Sequence, residues 1–345
     1  MRSPSGGSTA QAAQRGGIPP STWEARPRSD EPARRRRGSA YAALTAIGYG
    51  SAYVATAFAL HSFAPLAAAA WRGTLAAVGL AAVLLLVPSR LGITVWPSVM
   101  DRPRAIRLVA LSLLGGPVFY AFMNLAVASV GPTISAFVAG LYAILGALLA
   151  PVLLGERLRV SAVAAFVVAL CGTAVLSNVG LAVGRPAGVG WALAAAVSFA
   201  LFLVLARRWS APYGLPGPLI ALGNAIATSV VLGSALLVMA PASMLPTHVR
   251  LDAALALGWL AVVAAVGQLL AVMAVRLIPA ERSSAFLLLN PPTAAVLAWL
   301  LLGAAPTPFQ AAGGGLVLIG MAIVGGWFEP LAKRTRPVPA TTLEP

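Results

Sequence analysis

Ten apolar runs, each close to the length of a bilayer crossing, follow one another with little between them. They cover residues 40–60, 65–87, 108–127, 132–154, 160–178, 187–206, 216–239, 253–275, 283–302 and 309–328. Roughly twenty helical residues at ~1.5 Å each match the thickness of the hydrocarbon core. A backbone in hydrocarbon must bond internally, so runs of this length and composition predict helices. The breaks are short and hold Pro, Gly or charge, as antiparallel neighbours require. Only Ala128 to Gly131 separate the third and fourth runs. A single helix of more than about forty residues would overshoot the membrane, so a tight turn near Gly131-Pro132 is expected.

With 59% hydrophobic and 10% charged residues, an ordinary soluble domain is excluded. The net charge of +15 does not point to nucleic acid, because the bases are clustered. Residues 1–38, ending in Arg34-Arg35-Arg36-Arg37, read as a disordered basic tail, and 329–345 as a second tail. One side of the expected bundle holds both tails with Arg90, Arg102, Arg104, Arg107, Arg157, Arg159, Arg207, Arg208, Arg276 and Arg282. The other holds Arg185 and Arg250. This asymmetry predicts ten spans with both termini cytoplasmic, in the plasma membrane of a bacterial cell. Cys171 is the single cysteine, and His61 and His248 fall in breaks. Neither HExxH nor a phosphate-binding glycine loop with lysine occurs, so no metal, cofactor or ATP-driven step is expected.

An offset of 148 residues pairs Leu153-Leu154-Gly155 with Leu301-Leu302-Gly303, Gly172 with Gly320, and Tyr142 with Asn290. The segment boundaries stay in step, so a five-span unit is duplicated. Five is odd, and the second copy therefore enters from the opposite side of the membrane. Inverted repeats of this kind put a site at their interface near mid-depth. The expected architecture is an all-α membrane protein of ten helices in two inverted five-helix repeats, 39–178 and 187–328.

Several local patterns resemble one family, the EamA-type drug/metabolite transporters. Tyr49-Gly50-Ser51-Ala52-Tyr53-Val54 is similar to its first-span signature Trp-Gly-Ser-Asn-Phe-Val. Pro65 followed seven residues later by Arg72 resembles the P-x6-R of its second span. Leu154-Gly155-Glu156-Arg157-Leu158 is similar to the LGExL that closes its fourth, and Asn290-Pro291 through Gly303 to its ninth. Ala52, Ala143 and Ala304 depart from the family's Asn, Pro and Glu. The resemblance implies a central cavity lined by spans 1, 3, 4, 6, 8 and 9 that carries small metabolites.

In the ninth run, Asn290 precedes Pro291 and Pro292, each of which removes a backbone donor. A helix break with a polar side chain at mid-depth suits a substrate site; a packed kink with Asn290 bonded to a neighbour is the alternative. Arg72 is the charge set well inside a span, at a cost of roughly 2.5–3.5 kcal/mol. It serves either as a tie between helices or as a contact for a solute's anionic group. Tyr49, Ser51, Tyr120, Asn124, Tyr142, Ser198, Gln268 and Asn290 supply neutral polar groups and rings on the cavity-lining spans. They suit a neutral or zwitterionic solute, amino-acid-like or drug-like, and equally serve as interhelical hydrogen bonds. The expected partners are that solute and membrane lipid, with a homodimer left open and no nucleic acid. A flippase of a lipid-linked or amphiphilic substrate is the nearest alternative function. A membrane-embedded enzyme ranks lower, because no Asp, Glu or His stands within a run, and a structural membrane protein, which would lack a continuous cavity, is the remaining option.

Overall fold

A computed structural model describes residues 31–86, 100–155, 160–178, 186–278 and 286–324, and every regular element among them is helical. The helices are α1 Glu31–Ala59, α2 Pro65–Leu86, α3 Arg102–Leu113, α4 Phe119–Ala139, α5 Tyr142–Leu154 and α6 Val160–Asn178. The second half supplies α7 Pro186–Tyr213, α8 Gly217–Met239, α9 Leu251–Leu277, α10 Asn290–Leu302 and α11 Pro308–Val324. A π turn, Leu114–Val118, joins α3 to α4, so the ten expected spans appear as ten helical rods. Five of the rods are long apolar helices and five are shorter ones.

The side-chain distribution is that of a membrane protein. Leu85, Val152, Val160, Val238 and Leu300 are exposed on the perimeter, while the interior is alanine-rich, with Ala67, Ala68, Ala69 and Ala70 fully buried. Lipid offers no hydrophobic drive between helices, so they associate where small residues let backbones meet. α6 and α11 show this most clearly. A methyl group added at Gly172 would stand 2.7 Å from the Gly313 carbonyl oxygen, and one at Gly320 would stand 2.7 Å from that of Ala165. The 148-residue offset converts the first contact into the second, since Gly172 maps to Gly320 and Ala165 to Gly313. The pair is therefore antiparallel and reciprocal, as two inverted copies must be when they meet along a two-fold axis.

The rest of the bundle follows the same rule. α1 packs antiparallel on α9, with Gly48 against Val263 and Ser51 bonded to Trp259. Its counterpart is α4 against α7, with Phe119 on Phe199 at 4.8 Å. α2 faces α8, joined by a 2.7 Å hydrogen bond between the hydroxyls of Thr74 and Ser229.

The local breaks have local causes. Gly131 adopts φ 78°, ψ 171°, and with Pro132 it interrupts α4 where the tight turn is expected. A second discontinuity, at Gly140 and Leu141, separates α4 from α5. Both α5 and α10 have 13 residues, and both end on a left-handed glycine, Gly155 at φ 71° and Gly303 at φ 66°. Glycine reaches that region without a Cβ penalty, which is why the Leu-Leu-Gly triplets mark the two ends. The π turn coincides with Gly115-Gly116-Pro117; Gly116 leaves helical geometry and Pro117 has no N–H to give. The first helix begins at Glu31, inside the segment read as tail, because Gly38 lets its first turns close on Leu277 and Ile278.

At the end of the bundle holding the α1–α2 turn, Asp252 accepts from the Arg250 guanidinium at 3.0 and 3.1 Å and shares a 2.8 Å hydrogen bond with His61 Nδ1. The Arg250 amide donates to Ser62 Oγ at 3.0 Å. The opposite end has a second clasp: Arg104 donates through Nε to the Tyr213 carbonyl at 2.9 Å and through Nη1 to Asp101 at 3.2 Å, and Arg107 bonds the Tyr213 hydroxyl at 3.0 Å. Hydrogen bonding from Arg250, then from His61, holds the Asp252 carboxyl at about 2, below its ordinary 3.8. A depressed carboxyl stabilises the clasp above its ordinary value, and that contribution is lost as pH falls through the folded value. Protection of residues 58–64 against hydrogen exchange, relative to the intrinsic amide rate at each pH, is therefore expected to fall between about pH 4 and 2. In Asp252→Asn it is expected to be low throughout that range. Equal protection of the parent protein at both pH values would refute this.

Candidate functional site

α1, α2, α4 and α5 bring their polar and aromatic groups together where the two halves meet. Arg72 sits seven residues into α2 and is 6% exposed. Its guanidinium carbon lies 4.1 Å from the centroid of the Tyr120 ring, on α4. Such an arrangement contributes about 0.5–2 kcal/mol, more as water is excluded. Nη1 has no hydrogen-bond partner. Tyr49 and Tyr53 on α1 lie within electrostatic reach of both Arg72 and Tyr120, and Tyr142 at the start of α5 within reach of both tyrosines. Ring contacts continue from Tyr120 to Phe119 at 5.0 Å, to Phe199 at 4.8 Å and to Tyr142 at 5.0 Å. An aromatic wall thus runs from the first half across α7 of the second.

Asn290 opens α10, directly after a 3₁₀ turn at Phe286–Leu289. Pro291 and Pro292 occupy the first positions of the helix, where a missing N–H removes no intrahelical bond. The ninth rod therefore changes from 3₁₀ to α winding at the position matched by Tyr142 in the first copy, which follows the Gly140–Leu141 discontinuity. Asn290 Oδ1 is buried without a partner. The Asn290 carbonyl lies so close to α1 that a methyl group at Gly50 would stand 2.6 Å from it.

The remaining sequence candidates divide. Asn124 is 1% exposed; its Nδ2 donates to the Pro65 carbonyl at 2.9 Å, and its Oδ1 is unpartnered. Ser51 donates to Gly48 at 2.7 Å and accepts from Trp259 at 2.9 Å, tying α1 to α9 near the perimeter. Ser198 donates at 2.8 Å to the Leu114 carbonyl, one of the acceptors in the π turn. Both serine hydroxyls are thus engaged with protein. Gln268 lies on α9, but its side chain falls outside the described residues, as do Glu156 and Glu281. Three polar groups were not among the sequence candidates: Tyr53, and the buried, unpartnered Ser112 Oγ and Asn224 Oδ1 beside the π turn. The signal for Asn224 was its place inside the seventh apolar run.

An apolar groove of about 490 Å³ opens at the α1–α2 end, lined by Ala57, Leu60, Phe63, Pro65, Val127 and Gly131 among others. It contains none of the polar candidates. Yet Val127 stands seven residues above Tyr120 on α4, and Pro65 seven residues above Arg72 on α2. The groove therefore lies about 10 Å along the helix axes from the backbone positions of Arg72 and Tyr120. Among the described residues no group of three or more His, Cys, Asp or Glu could hold a metal ion.

A family model described as the EamA-like transporter family matches the chain twice, over residues 36–178 and 186–326. The crystal structure of another protein shares the fold with a TM-score of 0.58. It is 21% identical, over 85% of this chain and 99% of that one. No curated protein sequence matches. The two repeat matches, the ten apolar rods and the reciprocal packing agree: this is a multi-pass membrane protein of the EamA-like transporter family.

Proposed function

We propose that the protein exports or exchanges a small neutral or zwitterionic metabolite, amino-acid-like or drug-like, across the bacterial plasma membrane. Both termini lie in the cytoplasm, and the two inverted halves rock around a shared central site. One observation carries this reading. Arg72 and Tyr142 stand buried and Tyr120 and Asn290 half-buried at the meeting of the halves, with the Arg72 Nη1 and Asn290 Oδ1 atoms buried and unpartnered. Polar groups left unsatisfied in an apolar interior are costly to keep, and a solute that bonds them recovers that cost. The clasps at the two ends, on loops that the inversion places at opposite faces, suit alternate opening. The apolar groove beside Pro65 favours a second reading, in which an amphiphilic or lipid-linked substrate enters by its tail.

The test begins with metabolite profiling of cells with and without the protein, followed by reconstitution of the full chain in liposomes. Labelled candidate metabolites are expected to accumulate by counterflow, while a fluorescent lipid stays in its leaflet. Lipid redistribution without metabolite uptake would favour the flippase instead. Reporters fused after Arg208 and after Arg336 are expected to read cytoplasmic, and an external signal from either would break the orientation.

A further inference from the structure

The Arg72 guanidinium is a buried cation that meets no carboxylate among the described residues. The described acids Asp101 and Asp252 lie at the bundle ends, and the remaining acids occupy tails or breaks between runs, apart from Glu31 at the first residue of α1. Among the described residues Arg72 has no hydrogen-bond partner; its contact is the face of Tyr120, and Nη1 is left open. A residue kept only to tie helices together would spend its donors on protein oxygens, as Arg104 does on the Tyr213 carbonyl and the Asp101 carboxylate at the bundle end. Tyr49 and Tyr53, within electrostatic reach of Arg72, bring hydroxyl donors but no carboxylate.

We propose that the missing partner is the anionic group of the solute itself: Arg72 binds it, and solutes without such a group are rejected. This rests on the carrier reading above and narrows it from neutral or zwitterionic solutes to those bearing an anion. A consequence concerns the transport cycle. Closing the site around a solute buries a neutralised pair, whereas closing it empty buries a bare cation. The loaded carrier therefore changes face more readily than the empty one, and exchange outpaces net flux.

The experiment uses the purified full chain and five phenyl probes: L-phenylalanine, 3-phenylpropionate, phenyl phosphate, phenylalaninamide and phenethylamine. Thermal unfolding is expected to shift upward with the anion-bearing probes and not with the amide or the amine. Comparing 3-phenylpropionate with phenyl phosphate shows whether the anion is a carboxylate or a phosphate ester. In Arg72→Gln the preference is expected to vanish, with at least about tenfold weaker binding of the acids. The unliganded variant is expected to be as stable as the parent or more so, because an unneutralised buried charge has gone. Arg72→Lys is expected to keep the acid preference with a smaller shift. In liposomes the ratio of exchange to net efflux is expected to fall in Arg72→Gln.

A loss of unliganded stability in Arg72→Gln, with acid and amide shifts left alike, would make Arg72 a structural tie and overturn the proposal. So would the absence of any shift with the acids. Solutes crossing regardless of their anion would overturn it and leave the carrier reading standing. An Arg72-dependent acid preference in a protein that moves no solute would do the reverse.

Discussion

Gly172→Val and Gly320→Val are each expected to lower the thermal stability of the solubilised protein by about 1–3 kcal/mol, with the double variant losing less than the sum. The side chain added at Gly172 would meet the Gly313 carbonyl at 2.7 Å, Leu316 Cβ at 2.8 Å and the Val317 amide at 2.8 Å. Two of those three are backbone atoms that cannot turn aside, so the helix axes must part. Gly320 presents the same obstruction from the other copy, against the Ala165 carbonyl at 2.7 Å. Once one valine has separated α6 from α11, the other finds the space already made, and the non-additivity reports that both glycines serve one interface. Gly315 supplies the control, since an added methyl there has nothing within 4 Å. Thermal unfolding of Gly315→Val should match the parent, and equal losses at Gly315 and Gly172 would remove the reciprocal packing from consideration.

Transport is expected to disappear in Gly50→Val while the protein remains in the membrane. The new side chain would collide with the Asn290 carbonyl at 2.6 Å and with Thr293 Cβ at 2.7 Å, pushing α10 off α1 where the halves meet. The perimeter of the bundle, where most apolar area contacts lipid, is untouched, so insertion should continue. Asn290→Ala is the milder companion. It removes an unpartnered oxygen and little volume, so uptake should fall while membrane abundance holds; Gln268→Ala, at the position the 148-residue offset pairs with Tyr120, is expected to behave alike. Immunoblotting of membranes beside an uptake assay checks all three. If abundance drops in step with uptake, these positions serve folding.

Much of this protein is legible from its residues in order. Ten spans, their duplication and their inversion follow from hydropathy and parity, because a backbone in lipid has few alternatives to the helix. The ends of α5 and α10 are equally local: Gly155 and Gly303 end their helices through their own left-handed backbone. Gly131 with Pro132 likewise breaks α4 where the pair stands in the sequence.

What the residues in order left undecided is what each polar side chain meets. Ser51 and Ser198 look like site residues by span and depth, yet Trp259 and the Leu114 carbonyl claim their hydroxyls. The π turn that exposes that carbonyl requires Gly116 to close on α8 and Pro117 to withhold a donor, a combination of close approach and local chemistry. Arg72 could have faced a carbonyl or a ring; the register of α2 against α4 lays it on Tyr120. Hydrophobic length and glycine geometry are properties of a segment, so sequence alone determined the ten spans and the glycine ends of α5 and α10, whereas the start of α1 at Glu31 depends on its contact with Leu277 and Ile278. Hydrogen-bond satisfaction is a property of pairs distant along the chain, and only the tertiary structure decided which of them are filled.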